Sequence, residues 1–334
     1  MHIPDNYLSP QSCAVMAAAM VPVWSLAIRK VQAEISREKI PLLGIGAAFA
    51  FLIMMFNVPL PGGSTGHAVG GTLLAVLLGP WSACIAISVA LLIQALLFGD
   101  GGILSFGANC FNMAFVLPFV GFYAAEFLSA RLRGPRGRTI ALALAAWAAL
   151  AVAALAAAIE FGLQPLLFRD GAGLPLYCPY PLAVAIPAML IPHLLVAGVV
   201  EALFTVTIYR FLSRVSPQSL PAITSTNKKT LFGILAVLIG LSPLGLLASR
   251  TAWGEWGPDK IASVVQVGQS LGFVPVGLKS GFSFPAFIPD YAVRGLPEFA
   301  GYLISAVAGT ALLVILFKLA SLLPPRKIRQ TPNR

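Results

Sequence analysis

The sequence is poor in charged residues. Only 10% of its 334 residues are charged, whereas 58% are apolar. Such a composition excludes an ordinary soluble domain, whose surface carries far more charge. Runs of about 20 apolar residues recur along most of the chain, the length that an α-helix needs to cross a bilayer. The alternation typical of membrane β-barrels is missing, so we predict an all-α polytopic membrane protein.

Other types of residue and motif are also scarce or missing. No CxxC or zinc-ligand spacing occurs, so the cysteines are predicted to be small buried hydrophobic residues: Cys13, Cys84, Cys110 and Cys178. No GxxxxGK[ST] loop occurs, so this chain is not expected to hydrolyse ATP itself. The first ten residues contain no Lys or Arg, and a cleavable signal peptide is therefore not expected.

The basic residues indicate a topology. We expect spans at about 12–28, 41–57, 68–79, 81–98, 104–130, 139–160, 182–213, 230–249 and 298–323. Four basic stretches lie between or after them, at 29–39, 131–138, 210–229 and beyond Lys318. The positive-inside rule places these stretches in the cytoplasm, with the N-terminus outside and the C-terminus inside. The net charge of +10 thus reflects topology in a bacterial or archaeal inner membrane, and no nucleic-acid partner is expected.

The chain divides into two regions. Residues 1–213 form a predicted seven-span core, and a polar linker, 214–229, follows it. Residues 230–334 carry two further predicted spans, separated by a long outer segment at 250–297.

Glycine, proline and small polar residues interrupt the hydrophobic runs of region 57–112. Irregular backbone at membrane depth is tolerated where it is buried in protein or lines a cavity. Such residues also make ordinary outer turns, so the sequence leaves both interpretations open.

The first two residues, Met1 and His2, form a potential chelate. The α-amine of Met1, the deprotonated amide nitrogen of His2 and His2 Nδ1 would supply three coplanar nitrogens in fused rings. A planar nitrogen set suits Ni(II) or Cu(II), and can hold Co(II). His67 is the candidate for the fourth corner, because it lies at the same predicted side of the membrane. The alternative is that His2 belongs to a frayed terminus without a function.

Three stretches of the first region resemble a known family. These are "MHIPDNYLSP", "NVPLPGGSTGHAVGGTLLAVLLGPW" and "LLIQALLFGDGGILSFGANCFNM". They are similar to the CbiM/NikM family, the substrate-binding components of cobalt and nickel energy-coupling factor (ECF) transporters, over residues 1 to about 213. The family's usual glycine after "MHIPD" is Asn6 here, a residue that also tolerates positive φ. The layout of the last two spans resembles the family's small accessory subunit, fused to the core.

The resemblance implies a function and a site. Co²⁺ or Ni²⁺ would be the transported substrate, bound in a near-square plane by the Met1 amine, the His2 amide and imidazole, and the His67 imidazole. A coupling transmembrane subunit and two cytoplasmic ATPase subunits would be the partners. The small residues Ala14 and Ala18 on the first span would suit helix docking with the coupling subunit, or packing within the bundle.

Other polar residues have less definite roles. Several in the irregular region could orient the histidines or simply cap turns: Asp5, Asn57, Ser64, Thr65, Asp100, Asn109 and Asn112. His193 and Glu201 share one span without sharing a narrow stripe, and we predict neither as a ligand.

Two other classes of function are alternatives for a metal-binding membrane protein. An ion-coupled secondary permease would need intramembrane carboxylates, and Glu201 is the only deep one expected. A membrane metalloenzyme would need an open coordination position, which a filled four-nitrogen plane does not offer.

Overall fold

The computed structural model describes residues 1–61, 64–215, 228–248, 251–266 and 269–323. Most of the predicted linker 214–229 therefore lies outside the described residues. Seven helices in the described part are long and apolar enough to cross a bilayer. The chain is thus a polytopic helical membrane protein. Its cysteines are all free and buried, which confirms the prediction made for them.

Five of the seven long helices belong to the first region. They are α1 (Pro10–Glu34), α4 (Pro80–Phe98), α5 (Phe106–Arg131), α6 (Gly134–Leu167) and α7 (Leu182–Val215). Ser9 caps α1, because its side chain accepts a hydrogen bond from the backbone N–H of Ser12. Three of these helices contain π-helical turns, at Gln94–Phe98, Cys110–Val116 and His193–Ala197.

Two helices of the first region are shorter than the spans expected at 41–57 and 68–79. The helices are α2 (Ile40–Met54) and α3 (Gly71–Leu78), of 15 and 8 residues. At 1.5 Å per residue, α3 is only about 12 Å long, far less than the bilayer's apolar thickness of about 30 Å. The reason lies in the segment before α3, where a short hairpin pairs β1 (Val58–Leu60) with β2 (Ser64–Gly66). Regular helix begins only after Gly70.

The second region adds two long helices, α8 (Lys228–Leu247) and α11 (Glu298–Leu322). Between them lie the short helices α9 (Pro258–Ile261) and α10 (Val276–Ser280), the strand pair β3 (Val265–Gln266) and β4 (Gln269–Ser270), and a 3-10 turn at Pro289–Tyr291. Helix α11 packs closely on α2, where a Cβ atom on Gly309 would collide with the ring of Phe51. Small residues allow such close helix contacts.

Candidate metal site

The N-terminal segment is folded into the protein. Met1, His2 and Ile3 are buried, with exposed fractions of 4%, 3% and 0%. The backbone of Ile3 is held on both sides by one side chain, because its N–H donates to Asn109 Oδ1 (2.7 Å) and its carbonyl accepts from Asn109 Nδ2 (3.0 Å). This segment is therefore not a frayed terminus.

A tight turn brings the chain from this segment to α1. Asn6 has a φ of 68°, which confirms the left-handed conformation expected there. Its side chain also pairs with the backbone of Phe282, donating to the carbonyl (2.7 Å) and accepting from the N–H (2.9 Å). Asp5 accepts a hydrogen bond from the N–H of Leu104 at 2.8 Å. The turn is thereby attached to both regions of the chain.

The glycine-rich connection between α4 and α5 lies directly against the N-terminal segment. The N–H of Gly102 donates to the carbonyl of Ile3 at 2.9 Å. A Cβ atom on Gly102 would collide with the backbone nitrogen of Asp5, so no larger residue fits at this approach. The motif "GDGGILSFGANC" thus forms the surface on which the terminus is packed.

His67 follows the β1–β2 hairpin in an irregular segment that Glu201 holds in place. The Glu201 carboxylate, fully buried on α7, accepts hydrogen bonds from the N–H groups of Val69 (2.7 Å) and Gly70 (2.8 Å). The segment leading into α3 has few backbone partners of its own, so this carboxylate replaces them. Sequence reasoning had no signal for this contact.

The structure brings His2 and His67 together. His2 Nδ1 and His67 Nε2 face each other at 3.0 Å. His67 Nδ1 lies 3.0 Å from the carbonyl oxygen of Ala68, and because a carbonyl only accepts, the ring proton is on Nδ1. His67 Nε2 therefore carries a lone pair, and this lone pair faces His2 Nδ1. Adjacent corners of a square plane with bonds of about 2.0 Å lie about 2.8 Å apart, so the two nitrogens have the spacing of neighbouring ligands.

The surroundings of both rings favour the neutral form. Burial, reinforced by the positive charge of the N-terminal amine, lowers the pKa of His2 to about 3. The same two causes, in the same order, hold the pKa of His67 well below its ordinary value. A neutral imidazole is the form that binds a metal ion.

Asp100 links this pair to the second region. Its Oδ1 lies 3.2 Å from His2 Nδ1, and its Oδ2 accepts a hydrogen bond from the Tyr291 hydroxyl at 2.6 Å. Gln94 Nε2 donates to the same Oδ2 at 3.1 Å. Tyr291 is itself held in a left-handed conformation, with a φ of 60°. A non-glycine residue in that region is strained, and such strain is concentrated at functional sites.

A cavity of about 550 Å³ opens beside the two histidines. His2 and His67 form part of its wall together with Asn57 and Thr65. Four acidic residues also line it, of which the last three belong to the second region: Asp100, Glu255, Asp290 and Glu298. Burial raises the pKa of Glu255 to about 7. The cavity connects the histidine pair with an acidic surface that both regions build.

The remaining predicted polar residues lie elsewhere. Asn112 donates to Glu160 Oε2 at 2.9 Å, within the helices. Helix α6 continues to Leu167, so Glu160, at the end of the expected span 139–160, is a carboxylate within a long apolar helix, as Glu201 is. His193 is buried with its Nδ1 2.6 Å from the carbonyl of Met189. It lines a small cavity together with Met1, and His67 is not part of the wall of that cavity.

Within the described residues, no group of three or more His, Cys, Asp and Glu side chains is arranged to hold a metal ion. The predicted donor set does not need one, because two of its four nitrogens belong to the backbone.

Comparison with known proteins identifies the family. The model of the cobalt uptake substrate-specific transmembrane region, CbiM, matches residues 2–219. The chain belongs to the CbiM family. A second model, the PDGLE domain, matches residues 227–326. The fusion of a CbiM-family core with an accessory region, expected from the sequence, is thereby confirmed.

Relatives and solved structures support the assignment. The chain is 51% identical to the probable fused nickel transport protein LarMN of Lactiplantibacillus plantarum, over 95% of this chain and 97% of the relative. It is 49% identical to the fused nickel transport protein NikMN of Rhodobacter capsulatus, over 94% and 95%. A crystal structure of a truncated transition metal transporter matches with a TM-score of 0.61 and 56% identity, over 64% of this chain and 99% of that one. Membership of this family of transport proteins agrees with the expectation of a transport component and not an enzyme.

Proposed function

We propose that this CbiM-family chain captures Co²⁺ or Ni²⁺ on the outer face of the membrane and delivers it inward as the substrate-specific component of an ATP-driven ECF transporter. One observation carries the proposal: His2 Nδ1 and His67 Nε2 face each other at 3.0 Å beside a buried N-terminus. The relatives' names, nickel and cobalt transport proteins, support the choice of ions.

The ligands are the Met1 amine, the His2 amide and Nδ1, and His67 Nε2. The metal takes the place of the proton on His2 Nδ1, and the ring proton moves to Nε2, which has no partner among the described residues. His67 is already oriented by its Nδ1–H bond to a backbone carbonyl, an arrangement typical of metal-ligating histidines. Since the His2 amide must lose its proton, apparent affinity rises with pH.

The acidic cavity supplies an approach for the ion. Its carboxylates attract hydrated cations and raise their local concentration beside the histidine pair. In this proposal the cavity and the N-terminus lie on the outer side of the membrane and the C-terminus lies in the cytoplasm. This orientation agrees with the basic stretches, which the positive-inside rule places in the cytoplasm.

Transport requires partners that this chain does not contain. A coupling transmembrane subunit and cytoplasmic ATPase subunits supply ATP hydrolysis and reorientation. Ala14 and Ala18 are both exposed on α1, where they are available for a neighbouring helix.

Uptake measurements test this function. Cells that produce the chain with the coupling and ATPase subunits should accumulate nickel or cobalt, and an inactive ATPase variant should abolish accumulation. Undiminished uptake by the chain without its ATPase partners would contradict the proposal. That result would favour an ion-coupled secondary permease, with Glu160 and Glu201 as the carboxylates to examine.

A further inference from the structure

A second cavity, of about 590 Å³, lies between the first turn of α6 and the last turns of α7. Four guanidinium groups line it, those of Arg136, Arg138, Arg210 and Arg214. It lies at the basic ends of the helices, away from the histidine pair, and nothing in the transport mechanism uses it.

The arginines of this cavity are poorly neutralised. All 12 acidic residues of the chain lie in the described part, and only Glu126 pairs with one of these guanidiniums, Arg138, at 2.9 Å. No acidic residue occurs in 214–229 or 324–334, which are mostly or wholly outside the described part. No carboxylate side chain of this chain forms an ion pair with the other three arginines, Arg136, Arg210 and Arg214, so their positive charge is not neutralised by it.

The backbone adds to this positive potential. Helix α6 begins at Gly134 without a side-chain cap, so its first N–H groups point out beside Arg136. The N-terminal end of a helix carries a partial positive charge and favours anions. Two independent features therefore favour an anion at the same place.

The cavity also has an apolar side. Ile140 lines it with an exposed fraction of 52%, and Leu144, one turn further along α6, is 47% exposed. Exposed apolar side chains near the end of a membrane helix are suited to contact with lipid acyl chains. Guanidiniums bind phosphate oxygens through pairs of parallel hydrogen bonds. Basic pockets between membrane helices on the cytoplasmic side recognise anionic lipid headgroups.

We propose that the α6–α7 cavity binds the phosphate-bearing headgroup of an anionic phospholipid. Arg136, Arg210 and Arg214 contact the phosphate, and Ile140 contacts the first part of the acyl chains. Arg138, held by Glu126 and by Ser129 Oγ at 2.8 Å, supports the wall of the cavity.

Lipid retention tests this site. The full chain is purified from bilayers of equal phosphatidylglycerol and phosphatidylcholine, and bound lipid is measured by native mass spectrometry. We expect the unaltered chain to retain phosphatidylglycerol over phosphatidylcholine by more than about tenfold, because each basic residue near an anionic lipid contributes measurably. The triple variant Arg136→Gln, Arg210→Gln, Arg214→Gln should retain both lipids nearly equally.

A matched control removes the same charge elsewhere. The variant Arg29→Gln, Lys30→Gln, Arg37→Gln neutralises exposed residues of another basic stretch and should keep the preference. Equal losses in the two variants would overturn the proposal, since the effect would then be one of net charge.

Three further outcomes decide between ligands. Displacement of the lipid by an excess of inorganic phosphate would show a free-anion site and overturn the lipid assignment. Loss of the coupling and ATPase subunits from the triple variant, with lipid preference intact, would show a protein contact instead. If the triple variant fails to fold, the unaltered chain still decides, because an absent preference for phosphatidylglycerol would refute the site.

Discussion

The two regions of the chain contribute to the candidate site in different ways. The first, residues 1–215, supplies every predicted nitrogen ligand, on the N-terminal segment and on the irregular segment before α3. The second, residues 228–323, contributes hydrogen-bond partners. The Tyr291 hydroxyl donates to Asp100, and the Phe282 carbonyl accepts from the side chain of Asn6. The difference teaches that one region supplies the proposed ligands and the other contacts the residues around them. Variants in each region should separate binding from support.

The largest expected effect comes from the ligands themselves. His67→Ala and His2→Ala should each weaken nickel binding by more than about a hundredfold, beyond the loss usual for a residue that only supports a ligand. Isothermal titration of the purified chain measures this. His193→Gln is the matched control, since it alters a buried histidine outside the pair, and its affinity should stay within about threefold of the unaltered chain. A larger loss of nickel affinity in His193→Gln than in His67→Ala would indicate that His193, and not His67, is the ligand.

A smaller effect is expected from Tyr291→Phe. Removing the hydroxyl that donates to Asp100 at 2.6 Å frees the carboxylate beside His2, and affinity should fall about tenfold. Tyr302→Phe is the control, because that hydroxyl donates to the carbonyl of Met55 at 2.7 Å and contacts no proposed ligand. It should alter thermal stability without altering nickel affinity. Equal affinities in the two variants would show that the second region does not support the site through Asp100.

Glu201→Ala tests the support within the first region. The substitution leaves two backbone N–H groups, of Val69 and Gly70, without their acceptor. A buried donor without a partner costs about 1–3 kcal/mol, so the midpoint of thermal unfolding should fall clearly. Glu201→Gln retains one acceptor oxygen and should recover part of the loss. An unchanged midpoint in Glu201→Ala would mean that the segment bearing His67 is held by other contacts.

The smallest effect is expected from Asn6→Gly, which restores the residue usual in the family. Glycine adopts the left-handed conformation without strain, so only the two hydrogen bonds to Phe282 are lost, at a cost of about 1 kcal/mol each or less. Hydrogen exchange at the Phe282 amide should accelerate while nickel affinity changes little. Asn6→Ala should destabilise more, because alanine is strained at positive φ. The reverse order would show that the side-chain contacts matter more than the turn.

Much of this arrangement follows from the sequence, for physical reasons that differ by element. The long helices are predictable because an apolar run of sufficient length has few alternatives in a bilayer. His2 and the left-handed Asn6 are predictable from local chemistry, which needs no knowledge of distant residues. His67 is predictable as a candidate from its position on the same side of the membrane as the N-terminus, and the resemblance implies its role as a ligand.

Other parts of the site could not be predicted. The contacts of Tyr291 with Asp100 and of Glu201 with Val69 join residues more than a hundred positions apart, and no periodicity or motif encodes such pairs. The exact start of α3 within the expected span 68–79 could not be predicted either, because an apolar run does not show where a buried carboxylate replaces helical hydrogen bonds.

The central claim is that the chain's own N-terminal amine is a ligand, and blocking that amine tests it most directly. The chain can be produced with the formyl group retained on Met1, which changes no side chain and converts the basic amine into an amide nitrogen without an available lone pair. Bound nickel and cobalt per chain are then compared with the deformylated protein, with thermal unfolding as the control for folding. The account predicts that the formylated chain is folded and binds less than a tenth as much metal at limiting concentration, a loss at least as large as that from an altered supporting residue. Equal stoichiometry and affinity in the two forms would contradict it, and the ligands would have to be sought among the side chains alone.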